Sequence, residues 1–124
     1  MNNLNSCLIE GNLVRDPQLK QTPNGHDVCS FTIASNRYYK SQEGMEKETL
    51  YIDIEAWGEL ARSCERLGSK GRGAKVVGRL KQNRWHDAEG KSQSRFLIVA
   101  EHVQFRPVFN QQEEQEKEEL DENL

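Results

Sequence analysis

The chain has 124 residues, of which 35% are hydrophobic and 30% charged, with mean hydropathy −0.89 and formal net charge −3. This length supports one modest core. No apolar run approaches the roughly 20 residues of a membrane-spanning helix, and the first residues, MNNLNSC, lack the basic start and apolar stretch of a signal peptide, so a cytoplasmic chain with no membrane partner is expected.

An early strand is expected over Ser6–Val14, with Gly11 a bulge or bend. Thr22-Pro23-Asn24-Gly25 reads as a turn. In residues 28–35, VCSFTIAS, alternation places Cys29, Phe31 and Ile33 on one side and Ser30 and Thr32 on the other. This strand runs out into Arg37-Tyr38-Tyr39-Lys40, and Ser41–Lys47 reads as a polar loop. Residues 49–57, TLYIDIEAW, send Leu50, Ile52, Ile54 and Ala56 inward and Tyr51, Asp53, Glu55 and Trp57 outward. Glu59–Leu67 is predicted as the one helix, with Leu60, Cys64 and Leu67 at i, i+4 and i+7 and Gly68 as its stop.

The next stretch, RLGSKGRGAKVVGRLKQNRW at 66–85, carries seven basic residues and no acid in an acidic protein. Its glycines suggest a mobile basic loop, followed by a strand over Lys75–Trp85. On that strand Val76, Gly78 and Leu80 fall on one side, and Arg79, Lys81, Asn83 and Trp85 on the other. Asp87–Lys91 reads as a hairpin tip before a last strand over Arg95–Phe105. Residues 111–124, QQEEQEKEELDENL, hold seven acids and one Lys, a net of −6, which leaves +3 for residues 1–110. Such a run fits a solvated helix or a disordered tail; its terminal place and lack of an apolar stripe favour disorder.

Five strands with a helix between the third and fourth match the OB-fold, a small Greek-key barrel. An SH3-like barrel also has five strands but no reason for a helix there. The expected domains are an OB-fold over 1–109 and the acidic tail over 110–124. Cys7, Cys29 and Cys64 are odd in number and widely spaced, as are the three histidines, which suits buried reduced thiols, for at least two of the cysteines, better than disulfides or zinc. No metal or cofactor is expected.

Aromatics interleaved with cations on a sheet face suit single-stranded nucleic acid, whose bases stack on flat side chains and whose phosphates need a basic path. Duplex DNA offers no free base faces. The candidate stacking residues are Tyr38, Tyr39, Tyr51, Trp57 and Trp85. The candidate phosphate contacts are Arg37, Lys40, Lys70, Arg72, Lys75, Arg79, Lys81 and Arg84. Taken singly, each side chain fits a surface or packing role equally well; their combination on adjacent strands favours binding. Gly68, Gly71 and Gly73 do not form a phosphate-binding P-loop, because they follow the helix and lack a Lys-Ser/Thr pair. Asp53 and Glu55 allow a rival reading as a Mg²⁺-dependent nuclease, although no nucleophile or general base accompanies them.

Leu8-Ile9-Glu10-Gly11-Asn12-Leu13 with Asp16-Pro17, Thr22-Pro23-Asn24-Gly25, Phe31-Thr32-Ile33-Ala34, Ala56-Trp57-Gly58-Glu59-Leu60-Ala61 and Gly78-Arg79-Leu80 with Trp85 resemble the bacterial single-stranded DNA-binding protein family across about residues 5–106. The resemblance implies an OB-fold, a homotetramer, sequence-tolerant DNA binding in replication, recombination and repair, a nucleoid-associated place in the cytoplasm, and no catalysis. It puts stacking aromatics at Tyr39 or its neighbour Tyr38, and at Tyr51, Trp57 and Trp85. It also implies an acidic tail that recruits replication and repair proteins, here Glu118, Glu119, Asp121, Glu122 and Leu124. The chain departs from the family in having Tyr39 and Tyr51 where Trp is frequent, in Asp53 and Glu55, and in ending Asp-Glu-Asn-Leu without Pro-Phe. The nearest alternative is a primosomal OB-fold protein of replication restart, which is dimeric.

Overall fold

The computed structural model describes residues 1–107; the expected boundary at 109/110 and the acidic run 111–124 lie outside the described residues. In chain order come β1 (Cys7–Leu13), β2 (Gln18–Gln21), β3 (Asp27–Ser41), β4 (Gly44–Trp57), α1 (Glu59–Leu67), β5 (Gly73–His86) and β6 (Ser92–Phe105). The strand order is β1-β5-β6-β4-β3-β2, and β1 also pairs with β3. Five strands therefore close into a barrel, with α1 between its third and fourth strands, which is the expected OB-fold. All pairings are antiparallel except β4–β6, which is parallel from Asp53↔Leu97 to Glu55↔Val99.

The added strand, β2, lies outside the barrel and pairs with β3 from Gln18↔Ser30 to Gln21↔Asp27. Its sequence, QLKQ, is exposed throughout. It is held by backbone pairing to β3 and by contact with α1, and its exposed side chains leave no alternation for the sequence to display. β1 closes the barrel by pairing with β5 over Cys7–Asn12 and with β3 at Asn12 and Leu13. Gly11 permits this close approach: a Cβ there would stand 2.3 Å from the Ala34 carbonyl oxygen.

The core takes the alternate positions the pattern predicts at Phe31, Ile33, Ile54 and Val76, joined by Ile98 from β6, Leu13 from β1 and Ala61 and Cys64 from α1. Each large apolar side chain so buried contributes about 1.5–3 kcal/mol. Cys29 and Cys64 are fully buried free thiols. Burial pushes their pKa values up to about 11 and about 12, with smaller contributions from Glu65 on Cys29 and from Cys29 on Cys64.

Three local expectations are corrected. The polar loop over Ser41–Lys47 is mostly strand, because β3 and β4 pair from Val28↔Trp57 to Ser41↔Gly44 and leave only Gln42 and Glu43 at the tip. Cross-strand polar pairs sustain this arm: Thr49 Oγ1 donates to Asn36 Oδ1 at 2.7 Å and Arg37 meets Glu48 at 3.3 Å. Some hydrophobic positions of the pattern pass beyond the core, along β4 and β5 and at the end of α1, so Leu50, Leu80 and Leu67 are 53%, 39% and 43% exposed rather than inward. The glycine-rich loop after α1 is pinned. The Lys70 N–H donates to Asp16 Oδ1 at 2.8 Å, and the Gly71 N–H donates to the Leu13 carbonyl at 2.7 Å.

The tip between β5 and β6 is organised by Asp87, whose carboxylate accepts the backbone N–H groups of Glu89 and Lys91 and the Gln93 amide. These bonds, led by the one from Lys91, hold its carboxyl below the usual range against a smaller desolvation effect. Among the described residues no helix is long and apolar enough to cross a membrane.

Candidate nucleic-acid interface

The outer faces of β3, β4, β6 and β5 lie side by side, and the strand register places their side chains in rows. One row runs Ser30, Glu55, Val99, Arg79, and the next runs Thr32, Asp53, Leu97, Lys81. At strand spacings of about 4.8 Å each row spans ~14 Å, the width of a few nucleotides. The floor is apolar: Leu97 and Val99 are buried, although they lie on the opposite side of the sheet from the barrel core.

Aromatics flank this floor. Trp57, paired with Val28, and Tyr51, paired with Ala34, stand on β4 on either side of the two rows. Trp85 pairs with Gln93 on the β5–β6 arm, two alternations beyond Lys81 on the same side of its strand. By the same alternation, Tyr38, opposite Lys47, shares the face of Tyr51, as does Lys40 near the tip. Trp57, Trp85, Tyr38 and Tyr51 are 41%, 47%, 65% and 66% exposed, which leaves their ring faces open to stacking.

Tyr39 lies on the other side of the β3–β4 arm. Its hydroxyl donates to Glu46 Oε2 at 2.8 Å, and the Arg37 guanidinium lies 4.8 Å from its ring centre. The bond to Glu46, then burial, then Glu48 raise its pKa above the ordinary tyrosine value.

The basic stretch 66–85 does not act as a unit. Arg79 and Lys81 stand on the outer rows. Lys75 is held 3.8 Å from Glu10. Arg84 alternates to the other side of β5, where it donates to Gln82 Oε1 at 3.0 Å. Arg72 is a structural anchor, donating to the carbonyls of Leu67 and Arg106 and lying over the Phe105 ring. Lys70 belongs to the pinned loop.

Sequence reasoning missed Arg95 and Arg15. Arg95 reaches Asp53 at 3.6 Å. The Thr32 hydroxyl donates to Asp53 Oδ1 at 2.6 Å and accepts from Arg15 Nη2 at 3.3 Å. These groups surround a shallow pocket of about 110 Å³ over Leu97. The negative charge of Asp53 is therefore answered locally. Exposed pairs of this kind are worth about 0–1 kcal/mol, so the Arg95 guanidinium is only weakly held. Arg95 was legible from its alternation with Leu97 and Val99; Arg15, in a loop, left no local signal. Glu55 Oε1 accepts the Trp57 indole N–H at 2.7 Å. Among the described residues no His, Cys, Asp and Glu side chains gather in a group of three that suits a metal ion.

The sequence model of the Single-strand binding protein family matches residues 4–106. A single-stranded DNA-binding protein of Aquifex aeolicus is 38% identical over 94% of this chain and 81% of its own length. Those of Helicobacter hepaticus and Deinococcus radiodurans are 36% and 34% identical over 81% and 82% of the chain. The chain spans only 59% and 34% of those two relatives' lengths. Among solved structures, a Plasmodium falciparum SSB complex with ssDNA superposes with TM-score 0.78 at 19% identity, covering 86% of this chain and 98% of that one. At that identity the likeness concerns the fold.

Proposed function

Since the chain belongs to the single-strand binding protein family, we propose that it binds single-stranded DNA in a sequence-tolerant way and protects it in replication, recombination and repair. The observation that carries this is the single outer face on which Tyr38, Tyr51, Trp57 and Trp85 flank Arg79, Lys81 and Arg95 above the Leu97–Val99 floor. Bases stack on the aromatics, and phosphates take up the cations. The family resemblance puts one stacking aromatic at Tyr39 or its neighbour Tyr38, and the strand alternation, which sets Tyr38 on the face of Tyr51, favours Tyr38. In this reading the protein is a binder without catalysis or cofactor, placed in the cytoplasm with the nucleoid.

The same reading makes it a homotetramer. Among the described residues the Cys7–Gly11 stretch of β1 has a strand partner on one edge only, and Leu8 within it is exposed, which supports association of copies through this edge. The OB-fold domain ends at 109, and the acidic residues Glu118, Glu119, Asp121 and Glu122, with Leu124, recruit replication and repair proteins.

Titration with poly(dT), followed by tryptophan fluorescence, tests the binding. Saturable quenching by the single strand, with little response to a duplex at the same salt, is expected. Equal response to both would refute a stacking mechanism. Light scattering separates a tetramer from the dimer of a primosomal protein.

A further inference from the structure

A strand-binding face ordinarily gains nothing from carboxylates, yet Glu55 stands in the middle of this one. Its cross-strand neighbours are Ser30 and Val99, and among the described residues no cation stands within 4 Å of it. Its single recorded bond is the one at 2.7 Å that Oε1 accepts from the Trp57 indole N–H. Asp53 differs, because Thr32 and Arg95 already occupy its two oxygens.

The indole N–H lies in the plane of its ring, so the bond holds the Glu55 carboxylate at the ring edge and leaves Oε2 free. A base that stacks on Trp57 with its edge toward the indole N–H would bring that edge within reach of this oxygen. An ionised carboxylate only accepts hydrogen bonds. It therefore suits the exocyclic amino group of cytosine, whereas thymine presents a carbonyl oxygen at that position. We infer that Glu55 is a specificity-determining residue: its free oxygen accepts a hydrogen bond from the amino group of a base stacked on Trp57, favouring cytosine over thymine there. The inference rests on the reading of this face as the DNA-binding surface.

The test compares oligo(dC) and oligo(dT) of equal length on the full chain, on Glu55→Gln and on Glu55→Ala, with folding checked by circular dichroism. Gln keeps the shape and can still accept the Trp57 N–H, but it then turns donors toward the base and suits the thymine carbonyl. The ratio Kd(dC)/Kd(dT) is expected to rise by about three- to tenfold in Glu55→Gln, the worth of one hydrogen bond. Glu55→Ala should fall between it and the parent. An unchanged ratio in folded variants that still bind both oligomers would overturn the inference while leaving the binding function standing. Equal changes in both affinities would also overturn it, since they mean charge or packing rather than base recognition. Failure of the parent chain to bind either oligomer would remove both readings.

Discussion

Trp85 and Arg72 end and anchor the same basic stretch, and their environments assign them opposite tasks. Trp85 is half-exposed on the outer side of β5, with no core contact to lose. We predict that Trp85→Ala weakens single-strand binding by about 1–3 kcal/mol and leaves the denaturation midpoint in place. Unaltered affinity in the folded variant would show that no base stacks there. Arg72 spends its guanidinium on the Leu67 and Arg106 carbonyls and on Phe105. Arg72→Ala is expected to cost roughly 1–3 kcal/mol of stability, because charge-assisted bonds are lost, while the salt dependence of DNA binding stays as in the parent. A flattened salt dependence at full stability would return Arg72 to the phosphate path. The outward placement of Trp85 was legible, because alternation is a local property of the strand. The role of Arg72 was not, since one of its partners lies 34 residues away.

A strand distributes its cations by alternation and by what lies alongside. On β5 this separates Arg79 and Lys81, beside Val99 and Leu97, from Lys75, beside Glu10. Each phosphate neutralised on a single strand contributes about −0.7 to the slope of log affinity against log salt. Replacing both Arg79 and Lys81 with Ala should flatten that slope by up to about 1.4 without creating a base preference. Lys75→Ala should change it less, because Glu10 already engages the ammonium group. Measured slopes in the reverse order would place the DNA across β1 rather than across β4 and β6. The arms follow the same logic. The sequence between Ser41 and Lys47 is polar because it lies beyond the core, and it still forms strand because β3 and β4 pair there. Polarity marks exposure, whereas strand character depends on a partner, so the loop reading confused the two.

For the whole molecule, the charge division between residues 111–124, at −6, and the rest, at +3, implies competition. A covalently attached polyanion meets the basic face at high effective concentration, so we hypothesise that it opposes DNA there. Deleting 111–124 should tighten single-strand binding at low salt, and the gain should shrink as salt screens both attractions. Equal affinities at low salt for the two chains would reject this, and a salt-independent difference would mean an effect other than charge. The OB-fold, the helix over Glu59–Leu67, the core positions Phe31, Ile33, Ile54 and Val76, and the outward aromatics were all determined by the sequence itself. The helix, the core positions and the outward aromatics depend on periodicity within one element, and the OB-fold on the order of those elements along the chain, both of which the chain displays directly. Only the tertiary structure decided that β2 exists, that Arg95 and Thr32 answer Asp53, that Glu10 claims Lys75, and which of the seven cations in 66–85 reach the aromatic face. These outcomes depend on strand register and on contacts between residues distant in sequence, and register is a property of two strands that neither one carries alone.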